Sequence, residues 1–486
     1  MPPKRRKIKN KAALNEKDVD LPRVPNSAAA MLAYTEITGD YRRNGIKSRT
    51  YAIKQRGLIS MLRQREFRSP EADKAFACKW LDNDRILVGT KDNKLLEINV
   101  NSKYGNIREI PRPIDPPRNF STQNTGWGSC GIHSMDITPS GDLLATGGTD
   151  AADCVVLRTS DYSPVTTLIG HRDWLFGNAW VSDRHLVTGS RDRAMALWTI
   201  NPDENSGLPP TVQEYNYHSP QMKKKYEGKV REVKYDRDLR LVVGLGTEGV
   251  VKLHDPNLGL RVLRTLTIPN ARELVSMAVR QDLVAVGGLS RVCLLDPRKR
   301  DPDAVVHEIA SPDPSEGIRS ICISNDLVSF GTGKGKIAFF DLRASNCLSI
   351  DAEPGEEMPP RPPTPAPPAT DAANTADQGG GGLASLLALS RFEYGHQPNQ
   401  VLQLMRNELD EDDEALDALP APKPRHYLET GPGWVQENAT YFSYFGGRRV
   451  HHACYAHAWD PSGTRLFACG GPLAFGLSGG YMALWE

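Results

Sequence analysis

No apolar run in this sequence approaches the ~18 residues that a membrane-spanning helix needs, so no membrane partner is expected. The basic N-terminus has no apolar core of its own, and a secretory signal is not expected. An excess of one charge is also missing. The 60 Lys and Arg face 59 Asp and Glu, a net +1 that draws the whole molecule neither to nucleic acid nor to an anionic membrane. Any electrostatic function must come from local segregation of charge. The eight cysteines (78, 130, 154, 293, 322, 347, 454 and 469) form no Cys-x-x-Cys pair. That argues against a zinc ribbon and a disulfide framework, and for reduced thiols inside a cell.

What is present divides into unlike segments. Residues 2–11 read PPKRRKIKNK, six bases and no acid. Residues 1–26 are expected to be a disordered basic tail, solvated or serving as a nuclear-import or nucleic-acid patch. Over 27–68, Ser27 offers an N-cap to AAAMLAYTEI, and Ile53, Leu58, Ile59, Leu62 and Phe67 recur among Lys and Arg. Two short helices and a loop are expected there, with too little apolar surface to fold alone. Residues 354–368 hold eight Pro, 379–382 are four Gly, and six of the seven residues 408–414 are acidic. Residues 351–424 are therefore expected to be a disordered insertion.

Between and beyond these lies a repeat over 69–486. Seven times a short apolar segment ends in Gly: ILVGT (86–90), LLATGG (143–148), LVTGS (186–190), LVVGL (241–245), LVAVGG (283–288), LVSFGTG (327–333) and LFACGG (466–471). A polar turn and a second β-prone run follow each. A period of about 40–45 residues with several strands per unit predicts an all-β propeller. Seven blades is the count, with six or eight as alternatives. The third unit has Gly170-His171, GSRD (189–192) and Leu197-Trp198. Ring closure predicts that the final unit takes its outer strand from within 64–76, which removes an exposed edge.

The repeat also sorts the charges. Lys91, Arg191, Lys334 and Lys336 fall in turns between second and third strands, while His133, Arg231 and Arg319 fall at the starts of inner strands. Both places open on one face, around the central channel. Converging guanidinium groups suit a carboxylate or phosphate. Two or three charge-assisted contacts, at ~1.5–3 kcal/mol each, suffice for micromolar capture of a short acidic peptide. On the opposite face, Asp296-Pro297-Arg298 and Asp341-Leu342-Arg343 repeat a D-x-R ending after the third strand.

Three constellations suggest chemistry and carry little of it. A Ser-His-Asp set in the third unit sits where a blade needs internal hydrogen bonds. GTGKGK (331–336) lacks the spacing of a phosphate loop. In HHACYAH (451–457), strand alternation puts His451, Tyr455 and His457 on one face and His452 and Cys454 on the other, which splits any metal set. No enzyme activity, cofactor or metal is expected.

The third unit resembles the WD-repeat family, in which His171, Asp192 and Trp198, with Thr188 or Ser190, tie a blade together. The D-x-R endings resemble the box of WD-repeat substrate receptors of cullin-4 RING ubiquitin ligases, the DDB–cullin-4-associated factors. REF (65–67), GSCGIH (128–133), RDWLF (172–176), GIRS (317–320), GTGKGK and GGPLAFGLSGGYMALWE (470–486) carry the likeness. The resemblance implies a non-catalytic receptor for C-terminal degrons, notably chains ending in two glutamates, and residence in nucleus and cytoplasm. It implies a pocket of Lys91, His133, Arg191, Arg231 and Arg319, to which placement in the repeat adds Lys334 and Lys336. It implies a DDB adaptor held by 27–68 and by Asp296, Arg298, Asp341 and Arg343. The family's box Trp is Leu295 and Phe340 here. The alternative is a WD-repeat scaffold that binds nucleic acid or acidic tails without a ligase.

Overall fold

A computed structural model describes residues 57–102, 106–112, 131–201, 211–215, 226–280, 282–301, 304–348, 427–474 and 476–486. The chain divides into two compact units, 1–61 and 62–486. Of the first, only the helical residues 57–61 are described. The expected basic tail, most of the helical pair and the insertion lie outside the described residues. At 64–66 the expectations of helix and closing strand overlapped, and the chain is a strand there.

The second unit is a seven-bladed β-propeller. Its inner strands are Ala75–Trp80, Met135–Ile137, Leu175–Trp180, Val230–Asp236, Ser276–Arg280, Ile318–Ser324 and His452–Trp459, and they define blades one to seven. Each inner strand touches the next around a closed ring. Successive strands pair antiparallel outward from it. Blade seven takes its outer strand from Gln64–Glu66, in the register Gln64↔Trp485, Arg65↔Leu484 and Glu66↔Ala483. An Arg65–Glu486 ion pair at 2.9 Å closes this seam. In blade six, the strand Lys336–Asp341 pairs with both Asn346–Cys347 and Tyr427–Glu429, on either side of the long insertion.

Blades bury both faces against their neighbours, so second strands read as nearly unbroken apolar runs. The repeating Gly follows from that packing. A Cβ on Gly89 would meet Ile132 at 2.5 Å, on Gly189 Val230 at 2.6 Å, on Gly287 Ile318 at 2.7 Å and on Gly331 Cys454 at 2.6 Å. In each case the inner strand of the next blade, or the residue leading into it, stands in the way, joined at Gly287 and Gly331 by the Ser276 and Ser320 hydroxyls of the same blade. The apolar clusters accordingly lie at the seams between blades, as between blades four and five (Val243, Leu253, Leu274, Val284, Leu295).

Blade three holds the expected polar tie. His171 Nδ1 lies 3.0 Å from Asp192 Oδ2, His171 Nε2 lies 2.8 Å from Thr188 Oγ1, and Trp198 Nε1 donates to Thr188 Oγ1 at 2.8 Å. The hydroxyl is that of Thr188. Ser190 instead donates to the Asp173 carbonyl at 2.8 Å. Burial works to raise the Asp192 carboxyl, but the His171 hydrogen bond and two backbone N–H donors outweigh it and hold the group below its usual range. These residues are absorbed by blade structure.

Candidate functional site at the propeller mouth

Inner strands begin with a shared irregularity. The register slips by one residue between Ala75 and Ala77, Leu175 and Gly177, Val230 and Glu232, Ile318 and Ser320, and Cys454 and Ala456. The extra residues are Phe76, Phe176, Arg231, Arg319 and Tyr455. A bulge lifts one residue out of the alternation and re-aims its side chain. His133 holds the matching position in blade two, after Ile132, and Val275 in blade five, after Leu274.

These side chains form a belt around the mouth. Phe76 stacks on His133 with centroids 4.7 Å apart and planes 8° apart. His133 meets the edge of Phe176 at 5.1 Å, and the Arg231 guanidinium lies 4.4 Å from the Phe176 centroid. On the other side, Phe76 meets Tyr455 edge-on at 5.2 Å. Burial pushes the Tyr455 phenol up to about 12, and the charge of nearby Arg319 pulls the other way. The arc therefore runs from blade six through blade seven to blade four. It combines aromatic faces with cationic heads, a composition suited to a ligand that is planar along its backbone and anionic at its tip.

Bulging also resolves the HHACYAH stretch. Alternation put Tyr455 and His457 on one face. Because Tyr455 is the extra residue, the two part company. His457 turns into the seam with blade six, between Ser320 at 2.8 Å and Ser329 at 2.8 Å, and burial holds its imidazole down at about 4. Among the described residues no group of His, Cys, Asp or Glu has a metal-holding arrangement.

The turn cations are not bare charges. Lys91 pairs with Asp73 at 3.2 Å, Arg191 with Asp173 at 3.5 Å, and Lys336 with Asp313 at 2.8 Å. In each pair the acid precedes the inner strand of the same blade. Arg191 also lies 4.7 Å from the Trp174 centroid, and Lys336 lies 4.7 Å from that of Tyr427. Lys336 begins a third strand, away from the channel, and works as a tie within blade six. Lys334 is half-buried and has no ion pair among the described residues. Arg319 donates from Nε to the Glu316 carbonyl at 3.0 Å and pairs through Nη2 with Glu273 at 3.3 Å.

Sequence reasoning missed Lys74. It leads into the first inner strand, is buried, and donates to the Ala474 carbonyl at 3.2 Å. Burial, with the neighbouring Lys91 charge, lowers it to about 8. The acids were missed as well, although Asp73 stands 18 residues before Lys91 and Asp173 stands 18 before Arg191.

On the opposite face the two D-x-R endings differ. Arg298 grips Asp296 through Nε at 3.0 Å and Nη2 at 3.1 Å, and reaches Asp282 at 2.8 Å. Asp296 and Asp341 both accept the backbone N–H two residues on, but the Arg343 side chain pairs with Asp326. Both arginines stay exposed, at 63% and 54% of their side chains.

Residues 58–364 and 404–486 match the family described as DDB1- and CUL4-associated factor 12 beta propeller. Shorter stretches resemble curated proteins. Pre-mRNA-processing factor 19 of Oryza sativa subsp. japonica is 34% identical over 86 residues, 18% of this chain and 16% of that protein. The Ribosome biogenesis protein WDR12 homolog of Nematostella vectensis is 32% identical over 82 residues, 17% of this chain and 19% of that protein. These matches span less than a fifth of the relatives' own length.

Proposed function

The chain belongs to the DDB1- and CUL4-associated factor 12 propeller family, a family of substrate receptors associated with the DDB1–cullin-4 adaptor, and on that premise we propose that it recruits proteins by an acidic C-terminal end. In this reading it is the substrate-recognition subunit of a cullin-4 RING ligase. It transfers no ubiquitin itself and directs its cargo to degradation.

The observation that carries the reading is the belt. Arg231, Arg319 and His133 come from three blades and are delivered by the same strand-start position to one mouth. A chain ending Glu-Glu presents three carboxylates within a few ångströms. The guanidinium forks of Arg231 and Arg319 meet two of them, and the Phe76, His133 and Phe176 rings supply a floor for the planar amides between. Lys91 and Arg191 stand at the rim, where their charge speeds encounter more than it adds affinity. Lys334 joins them, whereas Lys336 is committed to Asp313.

The adaptor is assigned to residues 27–68 and to the face of Asp296, Arg298, Asp341 and Arg343. Leu295 and Phe340, where the family has Trp, are buried in the blade cores, which leaves the contact to the exposed arginines. The basic run at 2–11 suits nuclear import, with residence in both nucleus and cytoplasm.

Two experiments separate the halves of the proposal. Arg319→Glu in the purified chain should abolish binding of a peptide ending Glu-Glu, and unchanged affinity would reject the mouth. A pull-down of the adaptor with the wild type and with Arg343→Ala should show loss in the variant. Retention there, and after deletion of 27–56, which leaves the closing strand in place, would reject the ligase assignment and favour the scaffold.

A further inference from the structure

Four acids stand beside the cations of the mouth face, and one differs from the rest. Asp73, Asp173 and Asp313 each join a lead-in loop to a turn of the same blade. Asp73 also accepts the N–H of Lys74 at 2.8 Å and of Gly479 at 2.9 Å, and Asp313 accepts the Thr332 hydroxyl at 2.5 Å. The Asp73 and Asp313 carboxylates are built into their blades, and Asp173 accepts the Trp174 N–H at 2.8 Å within blade three. Glu273 spans blades five and six instead. Among the described residues its carboxylate takes no hydrogen bond beyond that from Arg319.

Its placement is costly. Glu273 has φ of 51°, the left-handed region that any residue with a Cβ adopts at a penalty. Burial lifts its carboxyl above the usual range, although Arg319 pulls the other way. Among the described residues Arg319 is the one cation that pairs with it. Arg319, in turn, does not need Glu273 to stay in place, because its Nε is fixed on the Glu316 carbonyl at 3.0 Å. Of the two side chains Glu273 is the more exposed, 25% against 12%.

We propose that Glu273 is a resident carboxylate in the ligand's place on Arg319, so that an acidic chain end binds by exchanging its own carboxylate for that of Glu273. This deepens the receptor reading above and rests on it. Exchange makes Glu273 a threshold on affinity that an incoming chain end must offset. A neutral chain end cannot displace it, because the guanidinium would be left half-buried with no counter-charge. A single carboxylate gains little, since it only replaces one ion pair by another. A multiply charged end pairs with Arg319 and Arg231 together and wins the exchange.

The test is calorimetric binding of a peptide ending Glu-Glu to the full chain and to Glu273→Gln, with Glu273→Ala as a second variant. Both variants should bind about threefold to fivefold tighter than the wild type, the scale of a partly exposed ion pair no longer broken on binding. A peptide ending Gln-Gln with an amidated C-terminus should gain nothing. If the wild type binds and the variants bind equally or more weakly, Glu273 orients Arg319 and the exchange is rejected. If the wild type does not bind at all, the receptor reading falls and the exchange falls with it.

Discussion

The guanidinium of Arg231 lies 4.4 Å from the centroid of the Phe176 ring, across the seam between blades three and four. A cation over an aromatic face is held by the ring's quadrupole, which restrains an otherwise flexible side chain. In the proposed function this restrained arginine meets a carboxylate of the bound chain end. Arg231→Ala should weaken binding of a Glu-Glu-ended peptide at least tenfold, given ~1.5–3 kcal/mol for a hydrogen bond to a charged group. Phe176→Leu, which removes the stack and keeps the charge, should cost less. Fluorescence titration with both variants checks the order.

Blade three depends on one hydroxyl. Thr188 accepts from Trp198 and meets His171, both at 2.8 Å. Thr188→Val leaves two buried ring nitrogens without that partner and should destabilise the propeller by about 1–3 kcal/mol. Urea unfolding measures it. Peptide affinity below the transition should not change, because Thr188 lies inside the blade.

The repeated glycine makes a sharper stability prediction. A Cβ on Gly189 would stand 2.6 Å from both Val230 Cγ1 and Val233 Cγ2. Gly189→Ala should therefore cost about 1–3 kcal/mol by overpacking. The same change at Gly141, where nothing lies within 4 Å, removes no packing and strains only its φ of 86°. Comparing the two melting curves separates packing from backbone strain.

Acid should loosen the seam between blades six and seven. Burial holds His457 at about 4 against 6.5 for an exposed imidazole. As pH falls below about 6.5, the unfolded chain takes up this proton first, so the contribution is intact above that pH and is lost toward pH 4. The loss amounts to roughly 3 kcal/mol from this one group. His457→Gln should flatten the dependence of unfolding free energy on pH across that window. An unchanged slope would show that His457 does not titrate as its burial requires.

Much of this was legible in the chain, for reasons the packing supplies. The seven glycine-ended runs could be read because the next blade leaves little or no space at many of their ends. The closing strand could be placed because Gly479–Trp485 needs a partner on its open edge. Phe76, Phe176 and Tyr455 were not legible as mouth residues, because alternation assigns every strand residue to one of two faces and a bulge creates a third direction. Arg231 and Arg319 could be picked out because the repeat places them at the starts of inner strands. The partner acids were missed because an ion pair between a loop and a turn has no local pattern, save the 18-residue spacing shared by Asp73–Lys91 and Asp173–Arg191.

The account rests on carboxylate capture at the propeller mouth. The direct measurement is calorimetric titration of the purified chain with two peptides of one sequence, one ending Glu-Glu with an open C-terminus and one ending Gln-Gln with an amide. The account predicts micromolar affinity for the first, falling as salt is raised, and at least hundredfold weaker binding for the second. Equal affinity for the two peptides, or binding of the first that is indifferent to salt, would contradict it.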